Sequence, residues 1–276
     1  MDLEEKRHNL EQIIRPLGRV LVCFSGGADS SLLLFLCHRL LGADNVTAFT
    51  VVSRASLDEE VAFCRTFAAH LKVPLIIGTT DVLAIPEIAG GDPRRCYFCK
   101  RNIFVLARKE AHKRGIGVIV EGSNLDDLDD IRPGFAAIEE FAIRSPLLEA
   151  KLTKEDVRAL SRRLTLPTWD KSPTTCLLTR FPYQETVTPE ALQRVKQCEG
   201  FLHAEGFSLC RVRSHLDTAR IEVPAEDIPR FADQQLRWRL LEYFTEAGFV
   251  FVTLDLAGYR QGSMNRKPSP AMDGEP

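Results

Sequence analysis

The sequence predicts an α/β protein: a doubly wound parallel sheet followed by a smaller C-terminal α+β domain. Three observations predict it. Short apolar runs alternate with helix-period segments through the first two-thirds of the 276 residues; a glycine-rich loop separates the first run from a long helix; and beyond residue 184 the order becomes helix, strand, strand, helix, strand. A chain of this length, 45% apolar and 27% charged, can bury two cores. Its formal net charge of −2 excludes a broadly basic nucleic-acid binder, so the expected partner is a small molecule.

Along the chain, an acidic amphipathic helix is expected over 3–16. It lacks a signal-peptide core, and no run reaches bilayer length, so a cytoplasmic protein with no membrane partner is expected. Strands are expected at 19–24, 46–52, 75–80 and 117–121, with helices at 30–41, 57–71 and 99–114. Parallel sheets collect ligands at the carboxyl ends of their strands, where Ser25 to Ser31, Ser53 and Gly122 to Asp127 fall. Thr153 is placed as the N-cap of a helix running to about Leu164. The aperiodic stretch Pro167–Tyr183, carrying Pro167, Pro173 and Pro182, reads as a functional loop or linker. A helix at 190–204, strands at 208–213 and 219–223, a helix at 226–247 and a strand at 250–254 predict antiparallel strands with two helices. The expected division is 1–183, 184–262 and a polar tail over 263–276.

Ser25-Gly26-Gly27-Ala28-Asp29-Ser30-Ser31 reads as a phosphate grip. Glycines let the backbone approach a polyanion, the hydroxyls donate, and a helix N-terminus stands behind them. Asp29 fits an anion-holding loop only if a divalent cation, magnesium, bridges it to the phosphates. The absence of a following Gly-Lys-Ser/Thr excludes a Walker loop, and the absence of a third glycine excludes the dinucleotide fingerprint.

Glu121-Gly122-Ser123-Asn124-Leu125-Asp126-Asp127 is a second nucleotide-loop candidate, with Gly122, Asn124 and Asp127 placed at the ligand, although Asn and Asp also favour plain turns. Arg132 would clamp a phosphate or carboxylate, or stand as a surface arginine. Cys96-Tyr97-Phe98-Cys99 lacks the further ligands of a metal site, which favours a packing or site-wall role over a partial metal site. Cys176, alone among the eight cysteines in the loop between Lys171 and Arg180, is either a small buried hydrophobe or a nucleophile whose thiolate those cations favour. Arg211 and Arg213 share a strand face opposite Arg220; they would grip a phosphate or pair with Glu222 on a solvated sheet.

The first loop resembles the SGGxDS loop of the PP-loop ATP pyrophosphatases, which split ATP to AMP and pyrophosphate. Together with Arg95-Cys96-Tyr97-Phe98-Cys99-Lys100, Glu121 to Asp127, Arg132-Pro133-Gly134, Ser145-Pro146-Leu147, Trp169-Asp170-Lys171, Cys176 with Arg180, Arg211-Val212-Arg213 and Ala219-Arg220-Ile221-Glu222, it makes residues 15–262 similar to the LarE family. Those are ATP-dependent sacrificial sulfur transferases that build the nickel-pincer nucleotide cofactor of lactate racemase.

The resemblance implies ATP and magnesium as cofactors, an adenine nucleotide α-hydrolase-like fold, and Cys176 as nucleophile and sulfur donor. Asp29, Arg180 and Lys171 would be its catalytic neighbours. Ser25, Gly26, Gly27, Asp29, Ser30, Ser31, Ser53, Gly122, Asn124 and Asp127 would bind the nucleotide, and Arg132, Arg211 and Arg213 the substrate. It also implies a homo-oligomer, trimer or hexamer, working with other cofactor-biosynthesis proteins. No cysteine follows Cys210, which disfavours a sulfur-recycling iron–sulfur cluster. The competing readings are an amide-forming synthetase or tRNA thiolase of the same superfamily, and a non-catalytic nucleotide-binding module.

Overall fold

Alternate residues of the first strand enter two different cores. In the computed structural model, which describes residues 1–128, 134–172 and 175–260, strand β1 (Val20–Cys23) sends Val20 and Val22 into one buried cluster and Leu21 into another. The same split occurs in β2 (Val46–Val52), with Val46 and Ala48 on one side and Phe49 on the other, and in β4 (Val118–Val120), with Val120 and Ile119. A strand buried on both faces reads as a continuous apolar run, which is how these strands look in sequence.

With β3 (Leu75–Thr79) the sheet has the order β3-β2-β1-β4, and every pairing is parallel. This is the doubly wound α/β sheet predicted. On one face lie helices α1 (Leu3–Ile14), α2 (Ala28–Leu41), α3 (Asp58–His70) and α8 (Lys154–Arg163). On the other lie α5 (Arg95–Lys113) and α6 (Gly134–Glu140); the one-turn helices α4 (Pro86–Ala89) and α7 (Pro146–Glu149) sit in connections. The chain leaves β1 toward β2 and later returns to β4 on β1's other side, so the crevice between the loops after β1 and β4 is the topological switch point.

By its internal contacts the chain divides after residue 174. The segment 175–183 thus groups with the second unit, rather than with the first as the sequence reading had it. That unit holds α9 (Pro189–Ala204), strands β5 (Arg211–His215), β6 (Thr218–Glu222) and β7 (Phe251–Leu254), and α10 (Gln234–Glu246).

Two expectations are corrected here. The sheet is mixed: β5 and β6 are antiparallel, but β7 runs parallel to β6. The helix expected over 226–247 is broken, because Pro229 lies within a 3₁₀ stretch, Ala225–Ala232, and the α-helix starts afresh behind an Asp233 N-cap that accepts from the Leu236 N–H. Among the described residues no helix is long and apolar enough to cross a membrane. Arg132 and the 263–276 tail lie outside the described residues.

Candidate active site

The loop between β1 and α2 is shaped by Gly26, whose φ of +79° belongs to the left-handed region that favours glycine. A Cβ there would also meet Cys64 Sγ at 3.0 Å. Gly27 follows as the N-cap of α2 and offers no side chain to the first-turn N–H groups, which leaves the positive end of a 14-residue helix open to an anion. Ser30 Oγ lies 3.1 Å from Ser25 Oγ and donates to the Gly27 carbonyl at 3.2 Å, fixing the turn. Ser31 is fully buried and its Oγ has no hydrogen-bond partner among the described residues.

The loop after β4 packs directly on this one. A Cβ on Gly122 would come within 3.0 Å of the Ser30 backbone nitrogen and 3.2 Å of the Asp29 carbonyl carbon, so glycine is what permits the approach. Asn124 Nδ2 donates to Asp29 Oδ1 at 3.0 Å, and Lys154 Nζ pairs with the other carboxylate oxygen. Asp127 accepts from the Asn124 backbone N–H at 3.0 Å, and Asp126 accepts from the Lys154 N–H at 2.8 Å, pinning the start of α8 to the loop. Buried Glu121 takes the Ser123 N–H and hydroxyl, each at 2.9 Å, and Lys100 Nζ at 3.1 Å.

Lys171 reaches back to the same turn. Its Nζ donates to the Gly26 carbonyl at 3.0 Å and to Glu60 at 2.6 Å, and it stands 4.2 Å from the centre of the Phe63 ring. Ser53, by contrast, closes its own turn after β2 with Ala55 and Ser56. The structure therefore brings Ser25–Ser31, Gly122, Asn124, Asp127 and Lys171 together.

In the second unit Cys176 is exposed and caps a short 3₁₀ turn, Leu177–Arg180. Arg180 is fully buried: Nε and Nη2 bond the two oxygens of Glu199 at 2.8 and 2.9 Å. Its Nη1 shares its hydrogens among the carbonyls of Thr175 and Cys176 and the hydroxyls of Thr175 and Thr179. The other thiols differ in kind. Burial pushes Cys23, Cys37 and Cys198 up to about 12, and Cys64 up to about 11, so they stay protonated at neutral pH. Cys96 is exposed and Cys99 half-buried in the first turns of α5; among the described residues no group of three or more His, Cys, Asp or Glu is arranged to hold a metal.

Arg213 bonds Glu222 at 2.7 and 2.9 Å, and Arg220 bonds it at 3.1 Å. Glu222 is fully buried, so this pairing lies inside the unit and not on a solvated sheet. Arg211 is also buried, its guanidinium 5.4 Å from the Tyr259 ring; burial and then the like charge of Arg180 hold it below its ordinary value.

Sequence reasoning missed Lys154 and Glu60 as partners of the first loop and Glu199 as the partner of Arg180. Each is a charged residue on a helix far along the chain from its partner or with no local mark of it, and only the fold reveals its contact.

The parallel sheet with its glycine turn before α2 is that of a PP-loop domain, and the comparisons with known proteins agree. A family model described as asparagine synthase matches residues 13–123. The chain is 36% identical over 263 residues to the pyridinium-3,5-bisthiocarboxylic acid mononucleotide synthase of Lactiplantibacillus plantarum, covering 95% of each chain. It is 40% identical to an uncharacterized protein of Synechocystis sp., covering 96% of this chain and 98% of that one. A GMP synthase of Heliobacterium modesticaldum is 27% identical over 54% of this chain and 32% of its own length. The chain belongs to the LarE family, the sulfur transferases of the PP-loop superfamily.

Proposed function

We propose that this enzyme adenylates a carboxylate of pyridinium-3,5-biscarboxylic acid mononucleotide with ATP, then donates the sulfur of Cys176 and keeps dehydroalanine in its place. The observation that carries the reading is the contrast among the thiols. Cys176 is exposed at the head of a turn whose carbonyl Arg180 holds, whereas Cys96, also exposed, lies in the first turn of α5 and four others are held protonated by burial. The name of the relative from L. plantarum supports the substrate, and likeness to that family supports a place in nickel-pincer nucleotide biosynthesis.

A carboxylate is a poor electrophile, and adenylation supplies a leaving group. The open N-terminus of α2 and the Gly26 turn suit the pyrophosphate released, and the orphaned Ser31 hydroxyl adds a donor. Magnesium would enter with ATP and supply charge neutralisation at the phosphates, with Asp29 as its carboxylate in exchange for Lys154. The Cys176 thiolate displaces AMP to give a thioester, and loss of the Cα–H and of the Cβ–S bond yields a thiocarboxylate.

Buried Arg211 and Arg213 lie in a cluster with Arg180 and Arg220, whose acidic partners include Glu199, Glu222 and Asp255. Guanidiniums held in this way suit the substrate phosphate. One carboxylate consumes one chain, in a cytoplasmic trimer or hexamer. Replacing Cys176 by Ala should leave ATP-dependent pyrophosphate release in place and abolish thiocarboxylate formation; thiocarboxylate formed by that variant would refute the assignment.

A further inference from the structure

The carbonyl of Cys176 is more heavily bonded than a short turn requires. Its oxygen accepts from the Thr179 backbone N–H at 3.0 Å, the Thr179 hydroxyl at 2.8 Å and Arg180 Nη1 at 3.2 Å. The first is the ordinary closing bond of a 3₁₀ turn. The other two come from side chains, and one is a guanidinium whose aim is fixed by a two-pronged bond to Glu199 in the interior. A neutral amide oxygen has two lone pairs and gains modestly from a third donor. An oxygen carrying negative charge gains far more.

We infer that Thr179 and Arg180 form an oxyanion cradle for the enolate that develops at Cys176 during elimination. The inference rests on the proposal that Cys176 gives up its sulfur. Once the thioester has formed, water as general base takes the Cys176 Cα–H. The C–H electron pair is delocalised onto the Cys176 carbonyl oxygen, the atom these donors hold. It then returns to form the Cα=Cβ double bond as the Cβ–S pair departs with sulfur, leaving a thiocarboxylate on the substrate and dehydroalanine in the chain. Elimination requires the Cα–H bond to stand across the carbonyl plane, and from the present ψ of 142° this takes rotation about the Cα–C bond. The cradle fixes the carbonyl plane while Cα and the chain on its N-terminal side turn about that bond.

Time-resolved intact-mass spectrometry of the full chain with ATP, magnesium and the biscarboxylate nucleotide reads the two steps separately. Thr179→Val should form the thioester adduct at the wild-type rate but eliminate about 10²-fold more slowly, so that the adduct accumulates. Thr179→Ser, which keeps the hydroxyl, should eliminate as wild type does. Elimination by Thr179→Val at the wild-type rate would overturn the cradle and leave sulfur donation standing. Equal slowing of adduct formation and elimination would also overturn it, assigning Thr179 to loop shape alone. Wild-type protein that forms product with neither adduct nor dehydroalanine would instead remove the proposed function, and the cradle with it.

Discussion

Arg180 and Glu199 face each other as a two-pronged ion pair, 2.8 and 2.9 Å apart, with the arginine side chain wholly buried and the glutamate 3% exposed. Glu199 also accepts the Val212 N–H at 2.9 Å, so one carboxylate ties α9, β5 and the Cys176 turn together. Removing one partner of a buried pair strands the other charge, at a cost of about 3–5 kcal/mol. Glu199→Ala should therefore lower the unfolding free energy in urea by about that amount, and a change below about 1 kcal/mol would show the pair to be dispensable.

Gly122 is required for room and not for conformation. Gly122→Ala drives a methyl to 3.0 Å from the Ser30 nitrogen, in the turn that would hold pyrophosphate. Backbone shifts of this kind cost about 1–3 kcal/mol, so pyrophosphate release should fall roughly 10- to 100-fold. Gly117→Ala is the control: nothing lies within 4 Å of its added Cβ, and release should be unchanged.

Lys171 holds the turn proposed to bind nucleotide through the Gly26 carbonyl and Glu60. Hydrogen bonds involving a charged group are worth about 1.5–3 kcal/mol, so Lys171→Met should raise the KM for ATP by about tenfold or more. Lys171→Arg should recover part of the loss in the same pyrophosphate assay.

These contacts show what sequence reading reaches. The Gly26 turn leading into α2 was legible because strand, glycines and helix are neighbours in the chain, whereas the roles given to Cys176 and Arg180 rest on resemblance to a family. The contacts of Glu199, Glu60 and Lys154 were not legible, since a charge on a solvated-looking helix carries no local mark of a distant partner. The break before α10 had a signal in Pro229, which cannot sit in a helix interior without disrupting it. The parallel pairing of β7 with β6 had one too, in the helix between them, because a strand–helix–strand connection is the crossover that parallel strands require.

The buried thiols make stability depend on alkaline pH. An unfolded thiol ionises near its ordinary value of 9.0, whereas folded Cys23, Cys37 and Cys198 hold their protons up to about 12. Between those values the unfolded chain binds fewer protons than the folded one, so stability falls as pH rises from about 9 toward 12. Urea midpoints should be level through neutral pH and drop above about 9. Brief alkylation of the native protein at neutral pH should mark exposed Cys176 and Cys96 and spare Cys23, Cys37 and Cys198.

The central claim is that the chain is a reagent in its own reaction. Intact mass and peptide mapping after incubation with ATP, magnesium and pyridinium-3,5-biscarboxylic acid mononucleotide measure it directly. The account predicts loss of the elements of hydrogen sulfide, localised to Cys176, with one thiocarboxylate formed per chain converted. Product in excess of the chains present, with Cys176 intact, would contradict it.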